Sequence, residues 1–422
     1  MRSRLTRTSL TALAIVALTF SGTAKNAAGQ QETVLYSFGS SGNDGQSPAV
    51  LTFDASGDIY GTTNLGGTYN AGTVFELQRA TGGGWSEKVL HNFDTNGTDG
   101  FYPSVGLISD AAGNFYSTTQ DGGFFGHGTV YEIGRKTDGA WVERILYSFG
   151  VGAEDGTDPQ GSVILDSSGN LYGTTSGGGT DGHGTVFELT PKTGGLWSES
   201  ILYNFGNNGD ANLPLSGLVF DSSGNLYGST YYGGAHNNGA VFELTPASGG
   251  GWTESVLYSF NPNGSEGIFP QAGLTIDSRG NLYGTTISGG ADLTCYNGGT
   301  GTYGCGTVFE LSWNTSGGWT ETILNSFDNT EGAYPQVGMI FDPEGHLYGA
   351  TSKGGASDKG VAFELVHQAG GNWTENVLYS FDGTDGSLPD GLTFDRAGHL
   401  CGTTAQGGEY GGGNVFKFTR LR

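Results

Sequence analysis

Residues 166–205 read DSSGNLYGTTSGGGTDGHGTVFELTPKTGGLWSESILYNF, and variants of this stretch recur along the whole 422-residue chain. Each repeat ends in a segment closed by Phe. The closing residues are Phe38, Phe93, Phe149, Phe205, Phe260, Phe327 and Phe381. Successive members of this series are separated by 55, 56, 56, 55, 67 and 54 positions. Self-similarity at a fixed period indicates a repeat architecture, so the repeat decides the fold.

Every repeat carries four apolar segments of strand length. In the third repeat these are residues 162–166, 170–175, 184–189 and 197–205, which are rich in β-branched and aromatic residues. An Asp-x-x-Gly turn joins the first two segments, and Gly169 supplies the positive φ that a tight hairpin needs. Each repeat therefore predicts a four-stranded antiparallel meander.

The chain ends distinguish a closed ring from an open stack. The repeats begin with a lone fourth strand, residues 32–38, and finish with only three strands, ending at residues 414–418. A ring would use the first strand to complete the last unit, which removes the exposed edges that invite aggregation. We therefore predict an all-β fold: a seven-bladed β-propeller of four-stranded antiparallel blades, closed by the N-terminal strand.

The same motifs carry a family resemblance. The combination Asp-x-x-Gly-Asn-Leu-Tyr-Gly-Thr-Thr, Gly-Thr-Val-Phe-Glu-Leu and Trp-x-Glu-x-(Val/Ile)-Leu-Tyr-Ser-Phe resembles the GloVer-type tandem repeat of exported bacterial "choice-of-anchor" proteins. The resemblance covers residues 32–418. It implies an exported repeat protein, and it brings no established activity or catalytic residue.

The N-terminus predicts export. Arg2, Arg4 and Arg7 precede the apolar run 10–20 and a small-residue segment, which is the layout of a secretory signal peptide. We expect residues 1–28 to be the signal, cleaved after Ala24 or Ala28, and residues 29–422 to form a single propeller domain. No later segment is apolar enough to span a membrane. The expected location is secreted or extracellular, with the periplasm left open, and the expected state is a monomer.

The net charge bears on which partners the protein can bind, and the cysteines bear on how one loop is held. The net charge of −24 disfavours nucleic acid and anionic lipid. Cys295 and Cys305 lie in one Gly-rich loop, and in an exported protein they predict a local disulfide rather than two free thiols. We expect no cofactor, with Ca²⁺ as the one candidate ion.

An acidic residue stands four positions before a Pro in every repeat. The structural interpretation is that each acid accepts backbone N–H groups and holds its own loop. The alternative is that some of the acids coordinate Ca²⁺, which favours carboxylate oxygens. These candidate metal ligands are Asp44, Asp99, Asp155, Asp210, Glu266, Glu331 and Asp385.

The Gly-Gly loops between the second and third strands differ from repeat to repeat, and several carry aromatic residues. Aromatics among small polar residues on one face suit either a carbohydrate or a protein partner, and loop packing is the alternative. These candidate ligand-binding residues are Tyr69, Phe124, Phe125, Tyr231, Tyr232, Tyr296, Tyr303 and Tyr410. His127, His183 and His236 lie in the same loops, without flanking acids that complete a metal site.

These patterns favour an exported non-enzymatic binding or scaffold module, with a carbohydrate or a surface protein as the ligand. The alternative is a propeller lyase, lactone hydrolase or glycosidase that acts on an extracellular polysaccharide. A purely structural role in an extracellular matrix is also compatible. Two or more non-repeated acids or histidines that converge near the channel would favour the enzyme, whereas aromatics across a shallow face would favour binding.

Overall fold

The computed structural model describes residues 30–206, 210–262, 265–297, 302–368 and 370–420. The predicted signal peptide, residues 1–28, lies outside the described residues. Within them the fold is all-β, with no α-helix and one short 3-10 turn at Thr193–Gly195. The strands form seven antiparallel blades, which confirms the predicted propeller.

The first strands are short and lie nearest the centre. They are Thr52–Phe53, Ile108–Ser109, Ile164–Leu165, Val219–Phe220, Thr275–Ile276, Ile340–Phe341 and Ser387–Phe394. The second strands pair with them, and they are Ile59–Gly66, Phe115–Thr119, Leu171–Thr175, Leu226–Thr230, Leu282–Thr286, Leu347–Thr351 and Leu400–Gln406. We number the blades 1 to 7 in this order.

The third and fourth strands complete each blade toward the outside. The third strands are Thr73–Arg79, Thr129–Arg135, Thr185–Pro191, Ala240–Pro246, Thr307–Asn314, Val361–His367 and Asn414–Arg420. The fourth strands of blades 1 to 6 are Trp85–Asn92, Trp141–Ser148, Trp197–Asn204, Trp252–Ser259, Gly318–Ser326 and Trp373–Ser380.

The N-terminal strand Gln30–Ser37 is the fourth strand of blade 7. It pairs antiparallel with Asn414–Arg420, the third strand of that blade. The backbone N–H of Ser47 in blade 1 also donates to the carbonyl of Gly412 in blade 7, at 2.8 Å. The N-terminal strand therefore completes the last blade and closes the ring, as the sequence predicts.

The backbone turns just before the Pro of each repeat, and the first strand that follows is shorter than predicted in the third repeat, Ile164–Leu165 instead of 162–166, whereas in blade 7 the strand Ser387–Phe394 continues through Pro389. The residue before Pro has a positive φ in every blade, for example 61° at Tyr102 and 58° at Asp158. This conformation is rare for a residue other than Gly, and more so before Pro. In blades 2 to 5 the chain before this point forms a separate two-stranded ladder; the pairs are Gly100–Phe101 with Asp121–Gly122, Gly156–Thr157 with Gly177–Gly178, Ala211–Asn212 with Tyr232–Gly233, and Gly267–Ile268 with Ser288–Gly289. In blade 1 the corresponding strand Gly45–Pro48 pairs with Ile59–Gly66.

The core lies between blades and explains why each repeat ends in Phe. The Phe that follows each fourth strand makes an edge or tilted contact with a third-strand ring of the next blade, as Phe205 does with Phe242 at 5.0 Å. Such aromatic pairs contribute about 0.5–1.5 kcal/mol each beyond their buried area. The other pairs are Phe38–Phe75, Phe93–Tyr131, Phe149–Phe187, Phe260–Phe309, Phe327–Phe363 and Phe381–Phe416.

The Gly of each second strand makes room for these rings. A Cβ at Gly228 would lie 2.5 Å from the Cζ of Phe242, which is closer than real Cβ atoms approach. Blade 2 departs from this pattern, because Ser117 and Tyr131 replace the Gly and the Phe. The repeat is therefore determined by contacts across the blade interfaces as much as by strand pairing.

Candidate functional site

The Gly-Gly loops lie on one face of the ring, because every second strand runs in the same direction; we call it the loop face. Most of the predicted ligand-binding aromatics are exposed on this face. Their exposed fractions are 58% for Tyr69, 72% for Phe124, 43% for Phe125, 56% for Tyr296, 58% for Tyr303 and 51% for Tyr410. Among the described residues, Trp313 is the only other exposed aromatic, and it lies by the turn between third and fourth strands, on the opposite face.

Four of the exposed aromatics of this face form two pairs. The rings of Phe124 and Phe125 are 5.0 Å apart and nearly perpendicular. Tyr296 and Tyr303 face each other across a short two-stranded ladder at 4.9 Å. Each pair therefore presents two rings at different angles to solvent.

Tyr231 and Tyr232 behave differently from the other predicted residues. Both are half-buried, and the ring of Tyr231 stacks on Phe269 at 5.1 Å with an interplanar angle of 17°. Tyr232 meets the same Phe269 edge-on. These two rings pack between blades 4 and 5 and offer less free surface than Phe124.

The loop backbones are anchored to the fourth strand of their own blade. The N–H of Phe124 donates to Ser148 Oγ at 3.3 Å, and the N–H of Ala291 donates to Ser326 Oγ at 2.7 Å. Equivalent bonds run from Thr68, Thr180, Ala235 and Ala356. The aromatic side chains are thus carried on loops with a fixed backbone path.

The long loop of blade 5 has a second anchor. Cys295 and Cys305 form the predicted disulfide, and both are buried. Tyr296 follows Cys295 directly, and the carbonyl of Cys295 accepts the N–H of Gly304. The bridge therefore fixes the base of the segment that carries Tyr296 and Tyr303.

Six of the seven acids before Pro hold their own loops, as the structural interpretation predicts. Asp155 accepts the N–H groups of Gly150 and Val151 at 2.8 Å each, and the Tyr147 hydroxyl at 3.1 Å. The same role is filled by Asp44, Asp99, Asp210, Glu266 and Asp385. Glu331 instead faces Glu375 of the next fourth strand. The Ca²⁺ interpretation of these acids stays a prediction.

A second carboxyl lies beside each of these acids. It belongs to the Trp-x-Glu motif of the adjacent fourth strand, and one of its oxygens is buried without a hydrogen-bond partner. Burial, reinforced by the charge of Asp44, raises the pKa of Glu87 to about 7. Burial raises the pKa of five others to about 7 and that of Glu375 well above its usual value; the five are Glu32, Glu143, Glu199, Glu254 and Glu321.

The central channel is lined by one ionisable residue that the sequence analysis did not single out, Asp390. A cavity of about 470 Å³ is lined by the segments that follow each Pro. Among the described residues that line it, Asp390 is the only ionisable one, and burial raises the pKa of its carboxyl to about 7. The channel therefore has one acid rather than the converging set that would favour an enzyme.

A signal for Asp390 was present in the sequence. The position after Pro is neutral in six of the seven repeats, and its occupants are Ala49, Ser104, Gln160, Leu215, Gln271, Gln336 and Asp390. A single charge in an otherwise neutral series is what a residue with its own role would look like.

The opposite face carries a cavity of about 840 Å³ between the first hairpins of blades 6 and 7. One of the acids that line it, Asp395, is already paired, since it binds His399 Nδ1 at 2.9 Å and Lys417 Nζ at 2.8 Å. Burial opposes ionisation of Asp395, but the hydrogen bonds from Lys417 and His399 outweigh it and lower the pKa to about 2. This cavity therefore carries an internal ion-pair network.

The comparisons with known proteins agree with this fold. The model of the Gloeobacter/Verrucomicrobia repeat matches residues 21–150, 83–295 and 292–422. None of the curated proteins matches the chain in sequence. No helix in the described part of the chain is long and apolar enough to cross a membrane.

Two solved structures are similar to this chain in fold at low sequence identity. The extracellular domain of a putative hybrid two-component system from B. thetaiotaomicron is 12% identical, with a TM-score of 0.54, over 92% of this chain and 39% of that one. An ancestral GH74 enzyme is 13% identical, with a TM-score of 0.55, over 89% of this chain and 48% of that one. The chain thus spans less than half the length of either, and the likeness concerns the fold alone.

Proposed function

Because this chain belongs to the Gloeobacter/Verrucomicrobia repeat family, with a rigid propeller as its fold, we propose that it is an exported binding module that holds carbohydrate on its loop face. The observation that carries the proposal is the distribution of exposed aromatics. Of the exposed aromatic side chains in the described residues, all but Trp313 stand on the loop face.

The chemistry of this face suits sugars. Aromatic rings stack on the C–H faces of sugar rings, while the Asn, Asp, Thr and Gly residues of the same loops supply groups that bond hydroxyls. The anchored loops lower the entropy lost on binding, because their backbones are already ordered. A surface protein is the second partner class that such a face fits, and the test below distinguishes the two.

Charge indicates which polymers to use. A protein with a net charge of −24 repels polyuronates, so the ligand should be a neutral glycan. Export agrees with the charged and apolar pattern of residues 1–28 and with the Cys295–Cys305 disulfide.

The test is affinity electrophoresis and calorimetry of the full chain with laminarin, xyloglucan and polygalacturonate. Retardation by a neutral glycan is expected, together with a loss of about tenfold in affinity for the Phe124→Ala/Phe125→Ala variant, since stacked aromatics contribute about 1–2 kcal/mol. Trp313→Ala is the matched control, because it removes an equally exposed ring from the opposite face.

Two results would count against the proposal. Retardation that persists in Phe124→Ala/Phe125→Ala and also in Tyr296→Ala would place the contact elsewhere. If no neutral glycan binds, carbohydrate is excluded as the ligand, and a protein partner is the remaining ligand class for this face.

A further inference from the structure

The seven blade interfaces share one side-chain cluster, and one copy differs in a way that changes its chemistry. Each cluster has three side chains. One comes from the fourth strand of a blade, the second is the acid four positions before the next Pro, and the third is the Glu in the fourth strand of the next blade. The fourth-strand side chain is a Tyr in five copies, at Tyr36, Tyr147, Tyr203, Tyr258 and Tyr379. It is Asn325 between blades 5 and 6, and His91 between blades 1 and 2.

His91 brings an imidazole nitrogen to the two carboxyl groups. Its Nε2 lies 3.2 Å from Asp99 Oδ2. The ligand atoms of His91, Asp99 and Glu143 all lie within 4.8 Å of one another. Small rotations of these side chains would therefore bring all three within bonding distance of one ion, about 2.0–2.2 Å for Zn²⁺.

Two oxygens in this cluster have no donor. Asp99 Oδ1 and Glu143 Oε1 are both buried and without a hydrogen-bond partner. Buried carboxylate oxygens are ordinarily bonded or paired, because leaving them unsatisfied is costly. A cation between them would meet that need, and because Asp155 Oδ1 and Glu199 Oε1 are unpartnered in the same way, the imidazole of His91 is what distinguishes this copy.

The phenol in the sister clusters cannot supply the same ligand. Burial, with the charges of the neighbouring acids, raises the pKa of Tyr147 and its equivalents far above its usual value, so the hydroxyl stays protonated and donates to the acid. A neutral imidazole instead has a lone pair that a metal can use. The replacement of Tyr by His thus turns a proton donor into a metal ligand.

The cluster is also open to solvent. It lines a cleft together with Asp94, Asn96 and Thr98 of the blade 1–2 loop, and Thr68 and Tyr69 of the loop face form its rim. An ion can enter by this route, and water can complete its coordination.

We propose that His91, Asp99 and Glu143 form a binding site for a divalent transition-metal ion of the Zn²⁺ class. One imidazole and two carboxylates favour such an ion over Ca²⁺, which takes oxygen ligands alone. When both carboxyl groups are ionised they bring two negative charges, which a divalent ion balances.

A second group of acids and histidine does not meet the same conditions. His346 Nδ1 lies 3.2 Å from Asp342 and 3.6 Å from Glu364, but the Tyr348 hydroxyl already donates to both acids, at 3.0 and 2.6 Å. Those carboxylates therefore already have a hydroxyl donor in place.

The test is titration of Zn²⁺ into the EDTA-stripped, dialysed full chain at pH 7.5, followed by calorimetry and by the visible absorption of bound Co²⁺. We expect one tight equivalent and a rise in melting temperature by mass action. His91→Tyr should lower the affinity of that site at least about tenfold and abolish the Co²⁺ band. It installs the residue that five sister clusters carry, so the fold is retained.

Two further variants make the test specific. Glu143→Gln removes a second ligand at constant size and should weaken the same site, whereas His346→Asn installs the residue of blades 2 to 5 and should leave it unchanged. Unaltered binding in His91→Tyr, loss of the site in His346→Asn, or only weak binding at several sites in the unaltered chain would each overturn the proposal.

Discussion

Replacing Glu87 by Gln should stabilise the protein at pH 8 and leave its stability at pH 5 nearly unchanged. Glu87 lies at the seam between blades 7 and 1, where its Oε1 is buried without a partner beside Asp44. Asp44, by contrast, accepts the N–H groups of Gly39 and Ser40 at 2.9 Å each, donors that Glu87 Oε1 lacks. Glu87 is therefore the member of the pair that favours the protonated form.

The sign of the effect follows from the two pKa values. Burial raises the pKa of Glu87 in the folded protein from 4.5 to about 7. The stabilisation is fully present below pH 4.5, and it is lost as the pH rises through 7, because the unfolded chain ionises first. The full shift corresponds to about 3 kcal/mol, and partial solvent access reduces the expected effect to about 1–2 kcal/mol.

The assay is urea unfolding of the unaltered protein and of Glu87→Gln at pH 5 and at pH 8. We expect the variant to gain about 1–2 kcal/mol at pH 8, since Gln resembles the protonated acid and stays neutral. Glu154→Gln, which alters an exposed acid, is the control and should change little at either pH. A Glu87→Gln variant that is equally destabilised at both pH values would refute the reasoning.

Three further predictions concern the fold and its loops. Gly228→Ala should cost about 1–3 kcal/mol in urea unfolding, because the new methyl group would meet the Phe242 ring at 2.5 Å; a cost no larger than that of a surface substitution would contradict this contact. Deletion of residues 30–37 should lower the melting temperature and produce oligomers on size-exclusion chromatography, because the edge of Asn414–Arg420 loses its partner strand; a monomeric deletion variant with an unchanged melting temperature would argue against closure by the N-terminal strand. Reduction of the Cys295–Cys305 bond should allow chymotrypsin to cut at the exposed Leu293, Tyr296 or Tyr303 while the blades stay intact, and equal resistance before and after reduction would show that the bond does not hold this loop.

The propeller could be predicted because its signals are local and repeated sevenfold. The Asp-x-x-Gly hairpin at Asp166 and the strand pattern of 171–175 depend on short-range geometry, which a sequence displays directly. Closure of the ring could also be predicted, because Gln30–Ser37 is a fourth strand without a blade of its own and Asn414–Arg420 is the last strand of a blade that lacks a fourth. The turn of the backbone before each Pro could not be, since it depends on a positive φ that propensity disfavours.

The site was harder to predict because it depends on which blades face each other. The sequence separates His91 from Glu143 by 52 positions, and only the packing of blade 1 on blade 2 brings them together. His127, His183 and His236 lie in the Gly-Gly loops, whereas His91 replaces a Tyr that five other repeats carry within a fourth strand. Departures from a repeat carried more information about function than the repeat itself.

The exposed aromatics were identified correctly in part. Tyr69, Phe124 and Tyr296 stand in solvent, as loops rich in Gly and Asn would place them. Tyr231 was expected to be equally free, but Phe269 of the next blade covers one of its faces. That contact again crosses a blade interface, and no local pattern in the sequence indicates it.

Hydrogen exchange of the full chain, with and without a bound neutral glycan, tests the central claim most directly. We expect slower exchange in the loop-face segments 120–128 and 291–297, where the free aromatics stand, and unchanged exchange in the turns of the opposite face, such as 314–318. Protection confined to those opposite turns, or to the channel segments that follow each Pro, would contradict the assignment of the binding surface to the loop face.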